Sequence, residues 1–170
     1  MNHLVSLNAQ AGELEKILSG VKTMLVKEFD PAQTTMHPVN PGDSLYFLRD
    51  KDDCAMRVKA TVVRVLLLTN RLDQDLSHTL KEMQPRLQLT EDQYNHWLTV
   101  KPVLLVEFDA ARKIAVINLK PEKFKDRSSW IAVEEFSLIQ ELGGINERCN
   151  HDQPTYPPFQ GDGCSGQPFA

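Results

Sequence analysis

Apolar residues at Leu7, Ala11, Leu14 and Leu18 recur at the spacing of one helix face, which predicts an amphipathic helix of about three turns. Gly20 follows, suited to the left-handed position that ends a helix. The pattern then becomes extended. Strands are predicted over Val21–Val26 and, after the turn-forming Pro41-Gly42-Asp43, over Ser44–Leu48. The polar run Asp50-Lys51-Asp52-Asp53 reads as a hairpin connection into the strongest strand signal, Met56–Leu67, which alternates apolar and polar and then turns apolar on both sides.

Leu76, Leu80 and Met83 return to helical spacing until Pro85 interrupts. Thr90-Glu91-Asp92-Gln93 has the form of a capping box, which predicts a short helix carrying Tyr94, Trp97 and Leu98. Two further strands are expected, Val103–Phe108 and Ile114–Leu119, with Ala110-Ala111-Arg112 as the turn between them. Residues 120–130 are polar and basic around Phe124 and Trp130. Val133 to Leu142 fits either element and is assigned to helix for its glutamates and the Gly143-Gly144 stop. The expectation is an α+β chain, a small and mostly antiparallel β-barrel flanked by helices. Residues 1–145 form one domain, and the Pro- and Gly-rich stretch 146–170 is an irregular tail that cannot bury enough surface to fold alone.

Composition narrows the function. A formal charge of −4 argues against a protein that coats nucleic acid through bulk electrostatics, and leaves room for a local basic cleft. Arg49, Arg57, Lys59 and Arg64 lie close in sequence to Asp50, Asp52 and Asp53, which reads as a mixed solvated face. No leader-like or membrane-spanning stretch is visible, so a cytoplasmic location is expected. Cys54, Cys149 and Cys164 form no even-numbered disulfide framework, and Cys149, His151 and Cys164 lack zinc-site spacing. No metal or cofactor is expected. Phosphate-loop, nucleophile-elbow and zinc-protease motifs are absent from the sequence.

The order helix, Gly20, Lys22, Lys27 and Gly42-Asp43 turn resembles the ASCH domain of the PUA-like superfamily, whose motif has the form Gly-x-Lys-x-x-Glu-x-Arg before a Gly-Asp turn. Gly20 and Lys22 fit; Lys27 keeps only the charge of the arginine, without its planar fork, and Leu25 replaces the acidic residue. The resemblance implies binding of RNA or a nucleotide-like small molecule in a cleft between the first helix and the barrel. Gly20, Lys22, Thr23 and Lys27 are then the ligand residues. Arg127, Ser128 and Trp130 join them as a cation, a hydroxyl and an aromatic plane in one short run.

One branch of the family is similar in order and spacing and hydrolyses an acetylated cytidine nucleoside with a Lys, a Thr three residues later and a downstream Glu. Lys22 matches the first, Leu25 stands at the second without a hydroxyl, and Glu82 is the nearest downstream carboxylate. Thr23 shares a strand face with Leu25 and is the substitute hydroxyl. Lacking the nucleophile, the chain reads as a binding domain before an enzyme. A small hydrolase of a modified nucleoside or of RNA, with Lys22, Thr23 and Glu82 as its catalytic residues, is the alternative. A protein-interaction module that docks a partner through the tail is the third reading.

Overall fold

The computed structural model of the chain describes residues 1–31, 38–69, 75–100, 102–120 and 129–135. Their elements follow in the order β1 (Asn2–Ser6), α1 (Glu13–Leu18), β2 (Met24–Glu28), β3 (Ser44–Leu48), β4 (Ala55–Leu68), α2 (Leu76–Leu87), α3 (Glu91–Thr99), β5 (Val103–Asn118) and β6 (Trp130–Val133). The strands form one six-stranded sheet in the order β2-β5-β4-β3-β1-β6. Every pairing is antiparallel except β1 with β3. The two edge strands come together across the curl, where the Lys27 ammonium of β2 lies 5.8 Å from the ring centroid of Trp130 on β6. The fold is therefore α+β, a curled half-barrel with helices against it.

Side-chain alternation sorts two layers of core around β2, β4 and β5. Inside the curl, Leu25, Leu45, Phe47, Val58, Val106 and Phe108 are buried together, with the Phe47 and Phe108 rings 5.5 Å apart. Ile17 of α1 is buried in the same cluster, and Leu14 and Leu18 pack on it. On the other face of β2 and β5, Met24, Val103 and Leu105 pack against Leu76, Leu80 and Leu87 of α2. A third cluster, built on Leu4, Tyr46, Leu48 and Met56, covers the far end of the sheet. Among the described residues no helix is long and apolar enough to cross a membrane.

Several local expectations hold. Gly20 and Gly42 take φ of 78° and 91°, values that suit glycine at a helix end and in the turn before β3. The capping box of α3 is complete: the Thr90 hydroxyl accepts from the Gln93 amide at 3.3 Å and the Gln93 side chain accepts from the Thr90 amide at 3.0 Å.

Others are corrected. The first helix is only Glu13–Leu18, because Leu7 runs out of β1 and the Asn8 side chain accepts from the Ala11 amide at 3.1 Å, a local turn that competes with helix. The strand expected at Val21–Val26 begins at Met24, since the amides of Val21 and Lys22 both bond the Lys16 carbonyl and finish the helix end. Pro85 lies within α2; it sits in the last turn, where a missing amide costs one bond, and the helix stops soon after with Gln88 left-handed. Trp130–Val133 is strand, drawn into the sheet by β1; of the helix expected over 133–142, residues from 136 onward lie outside the described residues.

The largest correction concerns β5. The expected hairpin at Ala110-Ala111-Arg112 is a bulge in one continuous strand, Val103–Asn118, paired along its length with β4. Thr61 faces Asp109 whereas Lys59 faces Arg112, so β5 carries one extra residue between these pairs, and Ala110 there has φ of 51°. A single left-handed residue bends a strand; a tight two-residue hairpin needs positive φ at one or both central positions and a partner that ends. β4 does not end there, and its edge holds both halves of β5 in line.

Ala110 is exposed, so its substitution tests the backbone alone. Replacing it with valine, whose branched side chain resists the left-handed region, lowers stability by about 1–2 kcal/mol. Glycine there leaves stability within about 1 kcal/mol, relief of strain offsetting chain entropy. Urea denaturation of both variants checks the bulge, and a harmless Ala110→Val rejects it.

Candidate functional site

Lys22 lies at the junction of α1 and β2 and is fully buried. Its ammonium is 3.1 Å from Glu13 Oε1 and donates to the Leu87 carbonyl at the end of α2. Glu13 is itself held by the Asn8 amide at 2.7 Å and by the Gln93 side chain of α3 at 3.4 Å. The neighbouring carbonyls of α2 are taken up from the same segment: Arg86 by the Thr23 amide at 3.0 Å and Gln88 by the Lys16 ammonium at 3.4 Å. Two cations thus sit at a helix C-terminus, where the exposed carbonyls favour positive charge. Burial lowers the pKa of Lys22, and the charge of Glu13 opposes that shift. Lys22 does have a carboxylate in hydrogen-bond reach, but the pair is sealed between helices.

The other candidates separate. Thr23 and Leu25 precede Lys27 on the opposite side of the strand from Lys22, and Leu25 is buried in the inner core. Glu82 is exposed on α2 and pairs with His78, so the carboxylate beside Lys22 is Glu13. Arg127 and Ser128 lie outside the described residues, as do Cys149, His151 and Cys164. Of the basic residues singled out on the mixed face, Arg49 pairs with Glu15, Arg57 with Asp53, and Arg64 with Glu107, which Arg86 also holds. Lys59 lies over the Tyr46 ring. Among the described residues no group of three His, Cys, Asp or Glu is placed to hold a metal ion.

Two candidates do meet. Lys27 projects along the inner side of β2 to the Trp130 ring, at the seam where the sheet edges approach. Burial lowers the Lys27 pKa against the opposing charges of Asp30 and Glu28, so this ammonium is partly stripped of water.

Sequence reasoning missed the third member of the seam. His3 on β1 is fully buried, with its ring centroid 6.1 Å from that of Trp130. Its Nε2 is 3.0 Å from Asp43 Oδ2. Asp43 also accepts from the N-terminal ammonium at 2.9 Å and from the Asn40 amide at 2.8 Å. Burial pushes the Asp43 carboxyl upward, but these hydrogen bonds hold it below its ordinary value. Burial lowers the His3 pKa in spite of Asp43. The one sequence signal was the Gly42-Asp43 turn, which was read for its backbone and not for the side chain it presents.

A curled, mostly antiparallel half-barrel with a helix between its first two strands is the fold also seen in a solved ASCH protein. The ASCH protein of Zymomonas mobilis superposes with a TM-score of 0.60 at 15% identity, over 81% of this chain and 95% of that one. Crystal structures of two mutant forms of it give TM-scores of 0.59 and 0.57 at 15% and 16% identity, over 81% of this chain and 96% and 98% of theirs. No protein-family profile and no curated protein matches the sequence.

Two stability measurements test this geometry. Lys22→Met leaves Glu13 buried without its cation and costs about 3–5 kcal/mol in urea denaturation. Adding Glu13→Leu recovers part of that loss, because both charges are then gone. A Lys22→Met protein of wild-type stability rejects the clamp.

The second follows His3 with pH. Its folded pKa is lowered, so between that value and the ordinary imidazole range the unfolded chain binds more protons, and stability falls as the solution is acidified through this window. Asp43, also lowered, adds a separate loss only below the ordinary carboxylate range. His3→Gln keeps an amide donor for Asp43 and flattens the first window while sparing the second. An unchanged pH profile in that variant rejects the assignment.

Proposed function

We propose that the chain binds single-stranded RNA or a nucleotide at the seam between β2 and β6, with Trp130 as the stacking platform and Lys27 as the phosphate ligand. The observation that carries the reading is the approach of the Lys27 ammonium to the Trp130 ring, two residues far apart in sequence brought together by the curl of the sheet. Stacking of a base on an aromatic ring contributes about 1–3 kcal/mol. A cation over a partly exposed ring contributes about 0.5–1 kcal/mol, so a ligand that stacks and also offers the ammonium an anion exchanges the weaker contact for stronger ones. A partly desolvated ammonium gains more from such an anion than a fully hydrated one.

Arg127 and Ser128 directly precede Trp130 in sequence and are the further ligand donors of this reading. Gly20 and Lys22 serve as its frame: the sealed lysine locks β2 to the helices, and alternation then turns Thr23 and Lys27 inward. The function is binding; the residues that would form a catalytic set, Lys22, Thr23 and Glu82, do not converge on one point.

The test is a titration of short single-stranded RNAs and mononucleotides at low salt into a Trp97→Phe protein, in which Trp130 is the remaining tryptophan. Quenching of Trp130, an affinity that falls with added salt, and a loss of about tenfold or more in Lys27→Ala are expected. Trp130→Ala removes binding. If no RNA or nucleotide binds, or if both variants bind like the parent, the reading is wrong.

A further inference from the structure

The second half of β4 is an edge with the sequence of an interior strand. β3 starts at Ser44, opposite Thr61, and the last bonds on that side of β4 run from the Gly42 amide to the Val62 carbonyl at 2.8 Å and from the Val62 amide to the Asp43 carbonyl at 2.9 Å. The turn at Asn40–Asp43, with Gly42 at a φ of 91° and the Asp43 amide bonded to the Asn40 carbonyl, keeps the incoming chain clear of β4 before this point. β4 runs on alone. On its other side it stays paired with β5 as far as Leu68 and Val103, but among the described residues no strand lies along the side that β3 leaves open.

Val63, Leu66 and Leu67 are 42%, 40% and 37% exposed on this stretch. They occupy both faces: Leu66 stands beside Leu105 of the core under α2, and Leu67 beside Leu104 of the inner core. A run apolar on both faces, here Val62-Val63-Arg64-Val65-Leu66-Leu67-Leu68, is the pattern of a strand flanked on both sides. Natural edges are guarded by lysine, proline or an inward charge, because an open row of amides and carbonyls recruits other strands. The single charge here is already neutralised. Arg64 Nε donates to Glu107 Oε2 at 2.9 Å on the neighbouring β5. The register slips at Val63, yet from Arg64 and Glu107 to Leu68 and Val103 the pairing is unbroken, so the strand beyond the bulge is regular.

We propose that the open edge of β4 from Val63 to Leu68 pairs with the same edge of a second copy of this chain, antiparallel about a two-fold axis, joining two curled sheets into one. The inference is independent of nucleotide binding, whose residues Lys27 and Trp130 lie on β2 and β6. Backbone groups along an edge are met by extended chain, which neither a helix nor a lipid surface offers. A two-fold axis lets one patch serve both copies and leaves neither with an open edge. The segment also suits its own reverse: in a pairing centred on Leu66, Arg64 of one copy faces Leu68 of the other, and apolar residues meet apolar residues elsewhere. The contact is short beside the about 800 Å² per partner of a standard interface, so the dimer is reversible and forms with rising concentration.

Sedimentation equilibrium of the full chain over a concentration series is expected to show monomer passing into dimer. Leu66→Lys alters a side chain already exposed in the monomer, so it folds, and it sets two ammoniums together at the axis, weakening the dimer about tenfold or more. Val63→Lys weakens it in the same direction. Val116→Lys is the control: Val116 is 57% exposed at the other end of the β4–β5 ribbon, and its replacement leaves association unchanged. Circular dichroism checks that each variant is folded. In the unsubstituted protein, amides between Val63 and Leu68 exchange with solvent more slowly in concentrated than in dilute solution; should the lysine variants fail to fold, this difference decides alone. A chain that stays monomeric with unchanged exchange, or a dimer that survives both lysine substitutions, overturns the proposal. Growth beyond two copies overturns it as well, since a two-fold pairing closes on itself.

Discussion

A lysine without solvent is the constraint around which this molecule is arranged. The Lys22 ammonium cannot remain charged inside the protein unless its hydrogen-bonding capacity is met, and what meets it comes from separate elements: Glu13 of α1 and the Leu87 carbonyl of α2, with Gln93 of α3 steadying Glu13. The pair adds little net stability relative to an apolar replacement, since desolvation offsets most of its attraction. Its value is specificity. The pair ties α1 and the end of α2 to the residue just before β2. With Lys22 committed to the helices, alternation directs Leu25 into the core and Lys27 toward the opposite edge of the sheet.

The seam depends on that alternation and on the curl of the sheet. A flat six-stranded sheet would hold β2 and β6 at opposite edges, and neither Lys27 nor Trp130 would have a partner across the gap. Bulges in the β4–β5 pair, where the register slips at three places, bend the longest ribbon and bring the edges round. The positive φ of Ala110 belongs to one of these slips and is the local cost of closing the curl.

Elements governed by their own residues were legible: the run from Met56 to Leu67, the strand at Ser44–Leu48, the Thr90 capping box and the left-handed glycines at 20 and 42. Elements governed by distant partners were not. β1 has no alternation of apolar and polar residues to announce it and becomes a strand because β3 and β6 flank it on both sides. Ala110-Ala111-Arg112 has the local character of a turn, and only the unbroken edge of β4 makes it a bulge. The site divides in the same way. Lys22 and Lys27 were visible as candidate cations, but burial is a property of what packs over a residue, and nothing near Lys22 in sequence discloses the C-terminus of α2. His3 carried no local signal at all, because its meaning comes from Asp43 and Trp130.

The placement of β1 also governs how the chain reaches this structure. Asn2–Ser6 lies between β3 and β6 and pairs with residues as remote as Val133, so most of the polypeptide must be synthesised before its opening strand gains its second neighbour. Contacts of such long range form slowly, because the loop they close is costly to order before it is rewarded. Trp130 and His3 sit on the two strands of that long closure: the register that lays Val5 beside Trp130 also brings the indole against the imidazole, so the seam and the most remote pairing of the described sheet are one feature.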